Sequence, residues 1–370
     1  MNAFPKLRAS SDELLHLDLI RFVASVGIVI DHSLQFFFVP VDRPWVTSTT
    51  SGLDLFVDLF FVISGFVIAY FYHDKIQSGH GYKQFLQRRI GRLVPLHWLT
   101  LAIFIIVWST FEMLGFAGRH TPSFRPDCIA ATALLVHSFV HCGNGTFFNF
   151  VSWSISAEMV MYVIYPFFAF VGSQGRSLLF ILGAITVVAL LLFQLDASPE
   201  RSWIGIAPVF RALPSFIIGT AFYYGRAIVV LLPKPTIVLA LAVSCLSAMM
   251  VLRAPHFLSL ALVYLVVASA VASDLRNLGS SFVRRYAPLG QLTYSIYMWH
   301  SLFILIFINA IGDKLLHGGM ALMVTMTATC FVSLSMTAYF SFFYFETPVR
   351  RWINGLKFTP ARVGGPNTVA

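Results

Sequence analysis

Long runs of apolar residues alternate with short polar segments along the whole chain. A helix needs about 18 apolar residues to cross the hydrocarbon core of a bilayer. The pattern predicts ten membrane-spanning helices, at residues 17–39, 53–73, 93–117, 151–171, 178–195, 207–225, 236–252, 257–273, 290–311 and 320–345. A further run, at 128–141, is too short to span. We therefore expect an all-α fold, a polytopic membrane helix bundle of about ten transmembrane helices plus one short re-entrant or surface helix.

The composition favours a membrane protein over a soluble one. Hydrophobic residues make up 58% of the 370 residues, and charged residues make up only 11%. A soluble domain carries about 25% charged residues, and no polar segment here is long enough to coat a soluble core of this size. Four cysteines predict no metal site. Cys128 and Cys142 fall in one predicted outer segment, where they would either pair in an oxidising periplasm or stay free.

Basic residues decide the predicted orientation. The chain has 25 Lys and Arg against 16 Asp and Glu, a net charge of +9. If the run at 128–141 does not span and the N-terminus is inside, 17 of these cations lie inside and 6 outside. A spanning run would give 10 inside and 13 outside, which the positive-inside rule disfavours. We predict an inner-membrane protein with both termini cytoplasmic, and no nucleic-acid partner.

The sequence predicts a single membrane domain followed by a short tail. We predict a transmembrane domain at residues 1–351 and a short cytoplasmic tail, rich in Gly and Pro, at 352–370. The sequence shows no convincing internal repeat, which disfavours a transporter built from duplicated halves.

Polar residues form a stripe on the first predicted helix. The members of this stripe are Asp18, Arg21, Ser25, His32 and Gln35. Arg21 and His32 are three helical turns apart, or about 16 Å, on nearly the same bearing. An ionisable side chain at bilayer depth costs several kcal/mol and normally faces a cavity or a partner. A lone membrane histidine often serves only as a hydrogen-bonding group between helices, but its alignment with an arginine favours a functional site.

Other helices carry similar polar faces. Ser154 and Glu158 share one face of the fourth spanning helix, and Tyr297 and His300 share one face of the ninth. Glu158 has no basic neighbour on its own helix, so we expect its partner to be His32 or His300. On the second helix Asp58 shares a face with Gly65, and the neighbouring Ser64-Gly65 pair favours close helix packing.

An arginine cluster follows the second helix. Arg88, Arg89 and Arg92 fall within five residues. They are either a stop-transfer cluster of positive charge or a site for nucleotide phosphates, because the guanidinium fork matches phosphate oxygens.

Together these residues resemble the acyltransferase-3 family of membrane-bound O-acyltransferases. The resemblance runs from Asp18 to Arg351, nearly the whole chain. Its elements are Arg21 and His32 with ten residues between them, VDLFFVISGF (57–66), RRIGRLVPL (88–96), SWSISAE (152–158), YSIYMWH (294–300) and FETPVRR (345–351). Each motif is loose by itself, but their order and spacing are specific. One departure is His97, where an aromatic residue such as Tyr is common.

The resemblance implies a function and a site. Members of this family are ten-helix inner-membrane enzymes that acylate carbohydrates, such as exopolysaccharide and O-antigen. The resemblance implies that His32 is catalytic with Glu158 as its acidic partner, and that an acyl-CoA, commonly acetyl-CoA, is the donor. The donor-binding residues it implies are Arg21, Arg88, Arg89 and Arg92. As contacts of the substrates we expect Asp58, Ser154, Tyr297 and His300.

The expected partners are a carbohydrate or glycolipid acceptor, membrane lipid and the machinery of polysaccharide synthesis, with no metal. In the expected mechanism His32 deprotonates the acceptor hydroxyl while Glu158 holds the imidazole. A covalent acyl-histidine is the alternative route. Two other functions stay open, a transporter or flippase for a sugar-lipid or acidic solute, and a non-catalytic scaffold.

Overall fold

The computed structural model describes Pro5, Leu7 and residues 14–37, 53–115, 121–139, 147–195, 208–252, 256–317 and 319–356. Regular structure in these residues is helical throughout. The first helices are α1 (Leu15–Phe37), α2 (Leu55–Tyr72), α3 (Gly79–Met113), α4 (Pro126–Ala133), α5 (Ser152–Gln174), α6 (Arg176–Leu195) and α7 (Pro208–Tyr224). They are followed by α8 (Arg226–Val229), α9 (Pro235–Leu252), α10 (His256–Leu275), α11 (Ser281–Tyr286), α12 (Thr293–Phe303), α13 (Met320–Phe340) and α14 (Thr347–Gly355).

Several of these helices join end to end. A 3₁₀ segment, Ala287–Leu292, links α11 to α12, and a π-helical segment, Ile304–Leu315, extends α12. A second π-helical segment, Ser341–Glu346, links α13 to α14. The described residues thus contain ten helical segments of 17 residues or more, and each overlaps one of the ten predicted positions. Six of them are long and apolar enough to cross a membrane. The all-α membrane helix bundle is confirmed.

The beginning of α3 differs from the prediction. The apolar run predicts a start near residue 93, but the helix begins at Gly79 after Ser78, whose side chain accepts a hydrogen bond from the Gly81 N–H. The added turns carry the arginine cluster. A window of apolar residues misses them, because a helix can leave the hydrocarbon and continue through polar residues at the surface.

Segments predicted to be cytoplasmic meet at one end of the bundle, called here the basic end. Gln87 on α3 donates to the Leu356 carbonyl beyond α14 at 2.8 Å. His16 at the start of α1 contacts Asp274 at the end of α10, with 2.7 Å between Nδ1 and Oδ1. This placement agrees with the predicted alternation of the helices.

The short predicted helix is α4, and it reaches into the bundle. Eight residues span only about 12 Å, too little to cross a bilayer. The His97 Nε2 lies 2.8 Å from the Thr132 carbonyl oxygen, and the Trp98 indole donates to the Ala133 carbonyl at 2.8 Å. His97 and Trp98 are near the middle of α3, so α4 packs beside the middle of this long helix and not beyond its end. Cys128 is disulfide-bonded. The predicted Cys128–Cys142 pairing stays a prediction, because Cys142 lies outside the described residues.

Helices α2 and α7 approach each other with backbone contact. A Cβ atom on Gly65 would lie 2.1 Å from the Phe216 carbonyl oxygen, and one on Gly219 would lie 1.9 Å from that of Val62. Only a hydrogen fits between backbones at this separation, as in small-residue packing of membrane helices. The Ser64-Gly65 prediction of close packing therefore holds for Gly65.

Candidate active site

Five helices line a central, partly open cavity of about 720 Å³. Its polar lining comes from α1, α2, α3, α5 and α12, and consists of Arg21, Ser64, Arg89, Arg92, Ser154, Glu158, Tyr162, Thr293, Tyr294 and Tyr297. The rest is apolar, including Val57, Phe60, Phe61, Leu93 and Ile155. The structure thus brings together six predicted site residues, Arg21, Arg89, Arg92, Ser154, Glu158 and Tyr297.

Two further cavities adjoin the central one on its basic side. The first, called here the arginine vestibule, has about 690 Å³ and is lined by Tyr72, Arg88, Arg89, Arg92, Arg350 and Asn354. The second, the side cavity, has about 650 Å³ and is lined by Asp18, Arg21, Arg92, Gly290, Gln291, Tyr294, Phe342, Glu346 and Arg350. Arg92 lines all three cavities. The three cavities therefore lie side by side around Arg92, between the basic end of the bundle and the middle of the central cavity.

The arginines of these cavities have few acidic partners. Within the described residues no carboxylate oxygen lies within 4 Å of Arg88, Arg89, Arg92 or Arg350. Arg89 is only 8% exposed and donates to the Tyr72 hydroxyl at 2.7 Å, with its guanidinium 4.8 Å from the Tyr72 ring centre. Arg21 lies 3.5 Å from Asp18. Clustered guanidinium groups beside an open space form a site that favours an anion.

Glu158 is held by two hydroxyl groups at the cavity wall. Its Oε1 accepts hydrogen bonds from the Ser64 hydroxyl at 2.8 Å and from the Tyr162 hydroxyl. The expectation that Glu158 bonds directly to His32 or His300 is wrong for this structure. Helical periodicity shows which face a side chain occupies, but not which of the facing helices supplies its partner. The partners are Ser64 on α2 and a tyrosine one turn further along α5.

His32 and His300 form a hydrogen-bonded pair beyond the central cavity. The Nδ1 atom of His32 lies 2.8 Å from the Nε2 atom of His300, and the two ring planes are parallel within 2°. His300 is fully buried, and its Nδ1 lies 2.7 Å from the Tyr297 carbonyl oxygen. The ring of His32 also packs edge-on against Phe150, with 4.8 Å between the ring centres.

Tyr297 separates this histidine pair from the cavity. Its hydroxyl is 2.7 Å from the Ser154 hydroxyl, and its ring centre lies 5.7 Å from that of His300. On the other side the Tyr297 ring packs against Phe60. The cavity lining therefore ends one helical turn before His300, with His32 directly behind it.

Asp58 does not line these cavities. It is completely buried and forms an ion pair with Arg211 on α7, with 2.7 Å between the nearest nitrogen and oxygen atoms. Asp54 lies 3.2 Å from the same guanidinium. The expected contact of Asp58 with a substrate finds no support in this position, because its carboxylate is used in the α2–α7 interface. A buried charge needs such a partner.

Several lining residues were not predicted as site residues. Ser64 was interpreted only as a packing residue, although its hydroxyl bonds Glu158. Tyr294 lies three residues before Tyr297, and this helical spacing could have indicated that both side chains face the same cavity. Glu346 accepts hydrogen bonds from Ser295 and Ser341 and lines the side cavity. Arg350 extends the arginine cluster from the far end of the sequence, which no local pattern indicates.

Comparison with known proteins identifies the family of the chain. A family model described as an acyltransferase domain matches residues 14–344. The chain belongs to the acyltransferase-3 family. The match covers the three cavities and the histidine pair up to residue 344, so the site described above lies almost entirely within the acyltransferase domain. Among the described residues no group of three or more His, Cys, Asp or Glu side chains is placed to hold a metal ion.

Individual relatives match parts of this acyltransferase-3 chain. Acyltransferase MdmB of Streptomyces mycarofaciens is 30% identical over 40% of the chain and 37% of its own length. Protein 2 in the picA locus of Rhizobium radiobacter is 38% identical over 28% of the chain and 50% of its own length. O-acetyltransferase OatA of Staphylococcus aureus is 24% identical over 94% of the chain and 59% of its own length. The chain thus spans about half the length of these relatives. No solved structure matches it significantly.

Proposed function

We propose that this protein is a membrane O-acyltransferase that moves an acyl group, acetyl in the simplest case, from cytoplasmic acyl-CoA to a carbohydrate hydroxyl. The observation that carries the proposal is the order of the adjoining cavities along the bundle. Arginines line the vestibule at the entrance, apolar and polar side chains line the central cavity, and a hydrogen-bonded histidine pair lies behind its inner end.

The entrance suits the nucleotide end of coenzyme A. Arg88, Arg89, Arg92 and Arg350 line the vestibule with no carboxylate within 4 Å among the described residues, so phosphate oxygens would find several guanidinium donors there. The fixed position of Arg89 on Tyr72 reduces the entropy lost when a phosphate binds. A site for the donor at this end also agrees with the predicted cytoplasmic location of both termini.

The central cavity suits the pantetheine arm. The separation of Arg21 and His32 along α1, about 16 Å, is on the order of the length of an extended arm. Apolar side chains such as Phe60 and Ile155 would contact its methylene groups. The Glu158 carboxylate would accept a hydrogen bond from an amide N–H of the arm. This role replaces the expected contact between Glu158 and the imidazole.

The chemistry at the inner end needs a base. His32 would take the proton of the acceptor hydroxyl while its oxygen attacks the thioester carbon. Collapse of the tetrahedral intermediate breaks the carbon–sulfur bond, and the proton passes from His32 to the departing thiolate, giving the ester and free CoA. The Ser154 and Tyr297 hydroxyls are 2.7 Å apart, so one donates to the other, and the hydroxyl whose hydrogen is not used in that bond would donate to the developing oxyanion.

The acceptor is assigned by class. The names of the relatives include an O-acetyltransferase and an acyltransferase. We propose that the acceptor is a polysaccharide or a lipid-linked sugar. We also propose that the protein lies in the inner membrane and associates with the machinery of polysaccharide synthesis.

Thioester turnover by purified protein in proteoliposomes tests the proposal. We expect release of free CoA from acetyl-CoA that depends on added sugar acceptor, and His32→Ala should abolish it while insertion stays normal. His80→Ala is the matched control, because His80 is exposed on α3 and, among the described residues, its side chain bonds only to Gln84. Substantial transfer by the His32→Ala protein would remove His32 from the chemistry. A transporter would move sugar without releasing CoA.

A further inference from the structure

The two ring nitrogens of His300 have different partners, and this fixes where its proton lies. The Nδ1 atom is 2.7 Å from the Tyr297 carbonyl oxygen. A carbonyl oxygen can only accept, so Nδ1 must carry the hydrogen. His300 is 0% exposed, and the described residues give it no carboxylate partner. A buried imidazolium without a counter-charge is costly, so the ring is neutral and its Nε2 has a free lone pair.

The proton position on His32 follows from that of His300. The His32 Nδ1 lies 2.8 Å from the His300 Nε2, and two lone pairs cannot face each other at this distance. His32 Nδ1 must therefore carry a hydrogen and donate it to His300. In a neutral His32 ring the lone pair is then on Nε2, which has no hydrogen-bond partner among the described residues.

We propose that His300 is a positioning residue, which holds His32 in the Nδ1–H tautomer so that its Nε2 is the base for acyl transfer. The consequence for catalysis rests on the proposed function, whereas the tautomer itself does not. His300 takes the place that a carboxylate occupies in a serine-protease triad. A neutral acceptor suits a site inside a bilayer, because a buried carboxylate there would be costly. When His32 accepts a proton, its Nδ1–H bond to His300 becomes charge-assisted and shortens.

The surroundings of His300 keep it in place. The Asn149 amide donates to the Met298 carbonyl at 3.1 Å, and the Ser301 hydroxyl donates to the Asn149 Oδ1 at 2.7 Å. Both bonds tie the turn of α12 that carries His300 to the segment preceding α5. The Tyr297 hydroxyl is fixed by Ser154 on α5 itself. His300 is thus supported on both sides, as a positioning residue must be.

The first test reads the tautomer without activity. Full-length protein labelled with ¹⁵N-histidine in bilayers gives separate ring-nitrogen signals for protonated and unprotonated positions, assigned by loss of signals in the His32→Ala and His300→Ala proteins. We expect both histidines as neutral Nδ1–H tautomers. In His300→Phe the His32 signals should move toward the Nε2–H form. An Nε2–H form of His32 in the wild-type protein would overturn the inference.

The second test separates positioning from substrate binding. His300→Phe keeps an aromatic ring but removes the acceptor, so kcat should fall by about 10- to 100-fold, as for other supporting partners of a site residue, with little change in the KM for acyl-CoA. His300→Gln restores an acceptor oxygen near the Nε2 position and should recover part of the loss. Equal loss in both variants, or a changed KM at normal kcat, would contradict the positioning role. Wild-type protein with the expected tautomer and no acyl transfer would refute the proposed function alone.

Discussion

Residue spacing along single helices predicted much of the site. Arg21 and His32 lie on one stripe of α1, and Ser154 and Glu158 lie on one face of α5, because side chains three, four, seven or eleven apart point the same way. Hydrogen bonds and ion pairs between side chains on different helices were harder to predict from the sequence. The partners of Glu158 and Asp58 depend on how each helix is rotated about its axis, and a single sequence does not fix that rotation.

Arg92 is the residue on which donor binding should depend most. It lines all three cavities, so a phosphate bound in any of them would lie close to its guanidinium. A hydrogen bond to a charged group contributes about 1.5–3 kcal/mol. Arg92→Ala should therefore raise the KM for acetyl-CoA by about 10- to 100-fold with a smaller change in kcat.

A matched control separates this effect from general surface charge. Arg176→Ala removes the same charge from an exposed position at the start of α6, away from the cavities. Its KM should stay close to that of the wild-type protein. If Arg92→Ala and Arg176→Ala behaved alike, the arginine cluster would serve membrane orientation only, which was the other interpretation of the cluster from the sequence.

At the scale of elements, the number and order of the long helices followed from apolar run length, whereas their ends did not. Predicted and observed limits of α9 differ by one residue, 236–252 against Pro235–Leu252. Helix α3 begins 14 residues before the predicted start at 93. The difference lies in the polar turns that line the vestibule, where hydropathy no longer distinguishes helix from loop.

The α2–α7 interface should be sensitive to the smallest added side chain. In Gly65→Ala the new Cβ would lie 2.1 Å from the Phe216 carbonyl oxygen, a backbone atom that cannot rotate away. The helices must separate, and overpacking of this kind costs about 1–3 kcal/mol. Thermal unfolding in detergent should show a clearly lower midpoint for Gly65→Ala.

Gly79→Ala is the control for this measurement. Gly79 is the first residue of α3, and a Cβ there would meet nothing within 4 Å. It should unfold at the wild-type temperature or slightly above. An unchanged midpoint for Gly65→Ala would mean that α2 and α7 are farther apart than this structure places them.

At the scale of the whole molecule, the structure groups segments that are remote in sequence at the basic end. Gln87 on α3 bonds the chain beyond α14, and Arg88 shares the vestibule with Arg350. The count of cations in the loops predicted the same grouping. The orientation of this end relative to the cytoplasm is the remaining expectation, and donor entry depends on it.

Single cysteines test that orientation. The background is Cys245→Ala and Cys330→Ala, which removes the two cysteines that are free among the described residues. Lys83→Cys and Gly355→Cys mark the basic end, and Met113→Cys marks the far end of α3. All three positions are exposed. In intact spheroplasts a membrane-impermeant maleimide should label Met113→Cys, and it should label Lys83→Cys and Gly355→Cys only after permeabilisation.

The opposite labelling pattern would place the arginine vestibule outside the cell, where acyl-CoA is absent, and would refute cytoplasmic donor entry even if His32 proved essential. Labelling of Lys83→Cys and Gly355→Cys from different sides would contradict the bundle itself, because both positions lie beside the Gln87–Leu356 bond. Only the expected labelling pattern places the arginine vestibule on the cytoplasmic side, where the phosphates of acyl-CoA can reach it and the thioester can extend towards His32.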